Sequence, residues 1–298
     1  MEPPTLTTAA NNPNRADRAT PDAVVGWVGR LPPAVRPYAR LARFDRPIGT
    51  WLLFWPCIWG MALADAGARH VFLALLFLVG AFAMRSAGCV YNDIVDRDLD
   101  ARVARTRDRP VAAGIVSVRR AAILLVVLSF IGLAVLVQLD PAAQAVALGS
   151  LLLVAAYPFM KRITWWPQAW LGLTFNWGVL VGFAAVAGTL TVEAGLLYAA
   201  GLFWTLGYDT IYAMQDIEDD ALVGIRSSAR RLGPLVRAGV ALFYALAAAL
   251  LLAVHPHWAL LPAIAHLAWQ VARLPDDPLA LFRSNALTGA LVAAGLLA

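Results

Sequence analysis

Charge is the first thing this chain lacks. Asp, Glu, Lys and Arg make up 14% of its 298 residues, while 60% are hydrophobic; a soluble domain carries roughly 25% charged residues. Such a composition argues against a water-exposed globular surface. Alternating apolar and polar residues are also missing, which argues against a membrane β-barrel, whose strands alternate over about ten positions. Cysteine is nearly absent. Cys57 and Cys89 are the only two, both inside apolar runs, so packing is their expected role and a disulfide is not expected. No cleavable signal peptide is apparent. Residues 1–34 are polar and rich in Pro, Asn and Ala, and are expected to form a disordered tail ahead of a membrane domain over 35–298.

What is abundant is unbroken apolar sequence. Stretches such as "LALLFLVGAFAM" and "AILLVVLSFIGLAVLV" belong to runs of roughly twenty residues, enough to cross a hydrocarbon core about 30 Å thick. The mean hydropathy is +0.67. Segments at 48–66, 71–92, 120–138, 142–160, 167–189, 192–214, 235–254, 257–272 and 278–298 predict an all-α polytopic membrane protein with about nine transmembrane helices. The last is the weakest of them, because it starts on the polar "FRSN" and the chain stops inside it.

The formal charge of +5 would suggest nucleic acid in a soluble protein. Here the Lys and Arg collect in alternate loops, which is how cytoplasmic loops of membrane proteins behave, so no nucleic-acid partner is expected. Of the 24 Lys and Arg, 22 fall on one side of this scheme; Arg69 is alone on the other, and Arg85 lies within the second helix. The chain is therefore expected in a membrane, the bacterial inner membrane, with its active face cytoplasmic and lipid around it.

Two loops on that face are rich in acid. In "NDIVDRDLDARVARTRDRP" (92–110), Asn92, Asp96 and Asp100 are spaced i, i+4, i+8, one above another on a helix. In "DTIYAMQDIEDD" (209–220), Tyr212, Asp216 and Asp220 repeat that spacing. Arg85 precedes Asn92 by seven residues, and Asp209 precedes Asp216 by seven, which hints at an internal duplication. Like charges so spaced destabilise a helix, and carboxylates at a membrane boundary pay for desolvation. A hard divalent cation relieves both costs. Mg2+ takes oxygen ligands, keeps waters and is commonly completed by substrate phosphates, so two facing acidic stripes predict a Mg2+-diphosphate site, with neighbouring Arg and Lys bonding to the phosphates. A solvated charged loop is the plain alternative for one stripe; the matched pair argues against it.

These residues resemble the UbiA superfamily of intramembrane prenyltransferases. "NDIVDRDLD" fits its NDxxDxxxD signature, and "DTIYAMQDIEDDALVGIRSSA" fits the second signature with its GIxS segment. "RFDRPIGTWLLFWPCIW" (43–59), "YPFMKRITWWPQAWLG" (157–172) and "LFRSN" (281–285) resemble its branch acting on 4-hydroxybenzoate. The resemblance spans roughly residues 38–298. It implies a nine-helix bundle around a central cavity, a polyprenyl diphosphate donor and a 4-hydroxybenzoate acceptor in ubiquinone biosynthesis. Other acceptors (homogentisate, a naphthoate, haem, a glycerol phosphate lipid) remain alternatives, as does a cation transporter.

On that reading Asn92, Asp96, Asp100, Asp216 and Asp220 hold Mg2+, while Asp93 and Asp219 act from behind. Arg102, Arg107 and Lys161 are candidates to meet the leaving diphosphate. Asp209 is the candidate base or phenol-orienting group, and Tyr212 the candidate shield of the allylic cation. Arg85 or Arg162 grips the acceptor carboxylate, and Arg43 with Asp45 borders its pocket. Trp51, Trp55, Trp59, Trp170, Trp177 and Phe183 are candidates to line the prenyl groove, with helix packing an equal alternative.

Overall fold

A computed structural model describes residues 26–65, 70–103, 106–222 and 224–298, apart from the side chains at 219, 220 and 222. Residues 1–25 of the expected tail, Arg69 and the Asp220 side chain lie outside these. All regular structure among the described residues is helical: α1 (Arg36–Leu41), α2 (Ile48–Leu63), α3 (Val71–Val95), α4 (Arg97–Asp100), α5 (Val118–Leu136), α6 (Pro141–Ile163), α7 (Pro167–Phe175), α8 (Trp177–Ala187), α9 (Val192–Ala213), α10 (Ile217–Leu222), α11 (Ser228–Leu232), α12 (Val236–Val254), α13 (Leu261–Arg273) and α14 (Pro278–Leu296). Several starts are written in the sequence. Asp140 and Asp277 each precede a proline at the first helical position, and their carboxylates accept from the Ala142 and Ala280 amides at 2.9 and 3.0 Å.

Each of the nine expected segments contains helix among the described residues, but the expected count of nine spans is not reached by length and hydropathy. Among the described residues six helical stretches qualify: Val71–Val95, Val118–Leu136, Pro141–Ile163, Pro167–Ala187, Ser228–Val254 and Pro278–Leu296. Ile48–Leu63 is apolar but shorter, and α13 has 13 residues. The fifth segment, expected as one helix, is two. It breaks at Asn176, whose Nδ2 donates to the Gly172 carbonyl at 2.9 Å and to Thr205 Oγ1 at 2.7 Å. A side chain that bonds to its own i−4 carbonyl bends the helix there.

The chain divides into two compact units, Met1–Arg46 with Ser86–Val126, and Pro47–Arg85 with Val127–Ala298. In the first, α1 ends in a tight reversal. The Phe44 amide bonds to the Ala39 carbonyl at 2.9 Å and the Arg43 amide to the Arg40 carbonyl at 3.0 Å, the pair of bonds of a Schellman cap. Arg43 takes the left-handed position of that cap, with φ of 60°, where glycine is usual. Residues 27–30, placed in the tail by the sequence, form a 3-10 turn, with the Trp27 ring stacked on Phe44 at 6.3 Å.

The second unit holds most of the apolar core. In a bilayer apolar contact with lipid is no worse than with protein, so helix association relies on close packing and polar pairs. Both occur here. A Cβ on Gly60 would strike the Val179 carbonyl, and one on Gly182 the Cys57 carbonyl, so α2 and α8 pack backbone against backbone. A buried polar knot joins α9, α12, α13 and α14. Gln270 and Asn285 exchange amide hydrogen bonds at 3.2 Å, Tyr244 Oη donates to Gln270 Oε1 at 2.6 Å, and Trp204 Nε1 donates to Asn285 Oδ1 at 2.8 Å.

Candidate functional site

In the first unit the acidic segment keeps its helical register across a break. α3 ends at Val95 and α4 restarts at Arg97, yet the Asp96 amide bonds to the Asn92 carbonyl and the Asp100 amide to the Asp96 carbonyl, each at 2.8 Å. Asn92, Asp96 and Asp100 therefore still stack at one-turn intervals, as the spacing predicts. Asp96 is wholly buried, Asp100 nearly so, and Asn92 half-buried.

Asp93, expected to act from behind the cation, is held by two arginines. Both its oxygens accept from Arg43 Nη2, at 2.8 and 2.9 Å, and Oδ1 also takes Arg109 Nη1 at 3.3 Å. The same Arg109 nitrogen donates to Asp100 Oδ2 at 2.7 Å. Arg43 Nη1 in turn donates to the Arg40 carbonyl at 3.1 Å. Arg43 thus lies buried among its own unit's groups. Arg109 was not singled out from the sequence, where it looks like one more loop arginine; its neighbour Pro110, which ends the charged run, is the only local mark. Arg102 and Arg107, which were singled out, are exposed.

In the second unit the later acidic segment is less regular than its spacing suggests. α9 stops at Ala213, and Met214–Asp216 winds as a 3-10 turn before α10. That turn has about three residues per turn in place of 3.6, so Tyr212 and Asp216 do not sit on one unbroken α-helical face. Asp216 is buried and Asp209 half-buried. The Tyr212 ring lies against Phe282 of α14, with centroids 4.6 Å apart. Arg85, half-buried near the middle of α3, lies against Gly49 in the first turn of α2. Arg162 is exposed with its guanidinium over the Phe159 ring at 6.0 Å, and Lys161 is half-buried beside it.

The GIxS stretch is docked by residues that the motif alone does not name. The Ser228 amide donates to Gln168 Oε1 at 3.0 Å, and the Ser228 and Thr210 hydroxyls are 2.6 Å apart, all three residues being buried. The Arg226 amide donates to the Lys161 carbonyl at 3.2 Å and its Nη1 to the Ile163 carbonyl at 2.7 Å. Arg226 and Arg230 both lie over the Trp165 ring, at 5.7 and 5.5 Å. Residues 224–229 thereby tie together the adjoining ends of α6, α7 and α9.

Of the expected groove residues, Trp59 is core. It is fully buried, donates to the Gly289 carbonyl at 2.9 Å and packs on Trp204. Phe183 is buried too, Trp170 and Trp177 are tied by Nε1 to the Leu153 and Val146 carbonyls, and Trp51 is partly exposed.

Among the described residues no three His, Cys, Asp or Glu side chains gather into a metal-binding group. The Asn92 amide is not one of these residue types, and the Asp220 side chain lies outside the described residues. The donor chemistry nonetheless suits a hard cation. Asn92, Asp96 and Asp100 offer only oxygens as ligands, at one-turn intervals.

An all-helical membrane protein with buried acid and arginine at its helix ends is the class that this architecture defines. The model of the UbiA prenyltransferase family matches residues 53–275, and the chain belongs to that family. It is 43% identical over 286 residues to the mitochondrial 4-hydroxybenzoate polyprenyltransferase of Caenorhabditis elegans, covering 91% of this chain and 80% of that one. With the protein of the same name from Aedes aegypti the identity is 53% over 200 residues, 66% of this chain and 45% of that one. The chain thus spans from under half to four fifths of such relatives. A UbiA homologue from Aeropyrum pernix superposes with a TM-score of 0.71 at 26% identity, over 83% of this chain and 96% of that one. A homologue from Archaeoglobus fulgidus, bound to GPP and Mg2+, shares the fold with a TM-score of 0.66 at 19% identity, over 87% and 98%.

Proposed function

We propose that this protein transfers a polyprenyl group from a polyprenyl diphosphate to the ring carbon ortho to the hydroxyl of 4-hydroxybenzoate, with Mg2+, in ubiquinone biosynthesis. The observation that carries the reading is the identity of 43% across 91% of the chain to a relative named for that reaction. The geometry of the first acidic segment supports it.

Asn92, Asp96 and Asp100, with Asp216 and Asp220 of the second segment, would hold the cation. Mg2+ supplies charge neutralisation for the diphosphate. Arg109 and Arg43 hold Asp93 and Asp100 in place, so Arg43 serves the acidic segment rather than the acceptor. Arg102, Arg107 and Lys161 carry charge on long side chains suited to meeting the departing diphosphate. The donor's allylic C–O bond breaks, diphosphate leaves with the electron pair, and the ring carbon attacks the allylic cation. Asp209 takes the ring proton, and Tyr212, braced by Phe282, offers its π face to the cation. Of the two candidates for the acceptor carboxylate we assign Arg85, because Arg162 is exposed over Phe159 whereas Arg85 sits half-buried within its helix. The reading keeps a bacterial inner membrane with the active face cytoplasmic. The excess of Lys and Arg on that side supports it, and the word mitochondrial belongs to the relatives' names.

The test is mass analysis of products after incubating purified protein with 4-hydroxybenzoate, Mg2+ and donors of several chain lengths. Prenylated 4-hydroxybenzoate is expected. Its absence with every donor, beside prenylation of homogentisate or a naphthoate, would overturn the acceptor assignment.

A further inference from the structure

We propose that Gly49 is a positioning residue for the acceptor: by carrying no side chain it lets the Arg85 guanidinium settle against the first turn of α2, and so fixes where the acceptor carboxylate is gripped. The inference rests on the assignment of Arg85 to that carboxylate.

A Cβ built on Gly49 would lie 2.6 Å from Arg85 Nε, 3.0 Å from Nη2 and 3.2 Å from Cζ. Both nitrogens are nearer than the carbon between them, so the guanidinium meets Gly49 with its Nε/Nη2 edge. Nη1 is not among the three atoms nearest that Cβ, so the Nε/Nη2 edge is what an added methyl would displace. A guanidinium grips a carboxylate through a planar fork of two N–H groups, and a fork works only if its plane and edge are fixed. Gly49 is itself buried, so an added methyl group has no open space to enter.

What an added methyl displaces differs from one buried glycine to another. At Gly60 the nearest atom is the Val179 carbonyl oxygen, and at Gly182 it is the Cys57 carbonyl oxygen; both belong to packed backbone. At Gly49 all three nearest atoms are the far end of one flexible side chain. Alanine at 49 therefore moves the guanidinium and spares the helix packing. Restoring an ordinary contact of about 3.5–4.0 Å requires a retreat on the order of 1 Å, and a misplacement of that size costs about 100-fold where geometry governs the reaction.

The experiment measures KM for 4-hydroxybenzoate and for the polyprenyl diphosphate, with thermal stability, in wild type, Gly49→Ala, Arg85→Ala, Arg85→Lys and the doubles of Gly49→Ala with each Arg85 variant. Gly49→Ala is expected to raise the 4-hydroxybenzoate KM about ten-fold or more, at unchanged donor KM and unchanged melting temperature. With 4-hydroxybenzamide, which has no carboxylate, the same substitution should change nothing. In the Arg85→Ala and Arg85→Lys backgrounds it should add no further loss, since neither side chain presents the edge that the methyl displaces. Equal losses in all backgrounds, a parallel rise in both KM values, or a protein that folds only with glycine at 49 whatever stands at 85, would overturn the inference while leaving the Arg85 assignment intact. An Arg85→Ala variant with wild-type acceptor KM would remove that assignment, and the role of Gly49 with it.

Discussion

Asp93 closes both of its oxygens on one nitrogen of Arg43, at 2.8 and 2.9 Å, across 50 residues of sequence. The pair explains a backbone oddity. Arg43 holds the left-handed position that ends α1, a conformation costing a side chain roughly 1–2 kcal/mol. Glycine would make the better cap and would lose the ion pair. The two effects can be separated. Arg43→Gly keeps the cap and leaves Asp93 with Arg109, whereas Asp93→Ala takes this carboxylate from the buried Arg43 guanidinium while Arg109 keeps Asp100. Breaking a buried pair costs about 3–5 kcal/mol, well above what the relaxed cap returns. Both variants are expected to melt lower in detergent, and Asp93→Ala lower than Arg43→Gly, since it takes the carboxylate from a buried guanidinium, whereas Arg43→Gly leaves Asp93 its contact with Arg109. An Arg43→Gly protein as stable as wild type would show that the pair adds nothing to the fold.

The acids proposed to hold the cation make a different prediction, because on that reading they serve the ligand. Asp96→Ala and Asp216→Ala are expected to remove at least about 100-fold of the transfer rate, in line with loss of a group that stabilises developing charge. Protein levels in the membrane should stay near wild type. Excess EDTA should stop the wild-type reaction, and added Mg2+ should restore it. Full activity of either variant with Mg2+ present would sink the proposed metal site.

The polar knot in the second unit predicts a stability effect without a direct chemical one. Gln270 and Asn285 are fully buried and satisfy one another, Tyr244 and Trp204. Replacing Asn285 with Leu leaves the Trp204 indole and the Gln270 amide short of a partner, at a cost of about 1–3 kcal/mol for a buried polar group. Leucine at both 270 and 285 should recover part of that loss, because both halves of the amide pair then leave together. Thermal unfolding in detergent measures it; a double variant that loses the full sum of the single losses would argue against a shared network.

How much of this was legible beforehand follows from what each feature depends on. The nine apolar segments and the first acidic ladder depend on local spacing, and spacing is written in the chain; the ladder even survives the break at Asp96 because two i−4 backbone bonds bridge it. The 3-10 turn at Met214–Asp216 and the break at Asn176 depend on where neighbouring groups stand, Thr205 among them, which no local pattern records. Arg109 and Arg102 look alike in the sequence. What separates them is that one reaches Asp93 and Asp100 while the other is exposed, a matter of folding and not of residue type. The same holds for Trp59, for which groove lining and helix packing were equal alternatives in the sequence and whose indole is fixed to the Gly289 carbonyl.

The segment 224–229 offers the last prediction. Its two serine-borne hydrogen bonds reach Gln168 of α7 and Thr210 of α9, the helix that also carries Asp209 and Tyr212. Gln168→Leu removes the acceptor for the Ser228 amide and leaves that buried N–H unmade, at about 1–3 kcal/mol. The cost falls on a short stretch rather than on the whole bundle, so it should appear as local opening. Cleavage by trypsin after Arg226, Arg230 or Arg231 is expected to accelerate about five-fold or more, because 1 kcal/mol already corresponds to roughly that factor in the open population. Global unfolding should shift little by comparison. Gln168→Glu, which keeps an accepting oxygen at the same place, should protect the segment nearly as well as glutamine. Equal cleavage rates in wild type and Gln168→Leu would mean that the Ser228 bonds do not hold the segment, and that the cation-π contacts of Arg226 and Arg230 with Trp165 suffice.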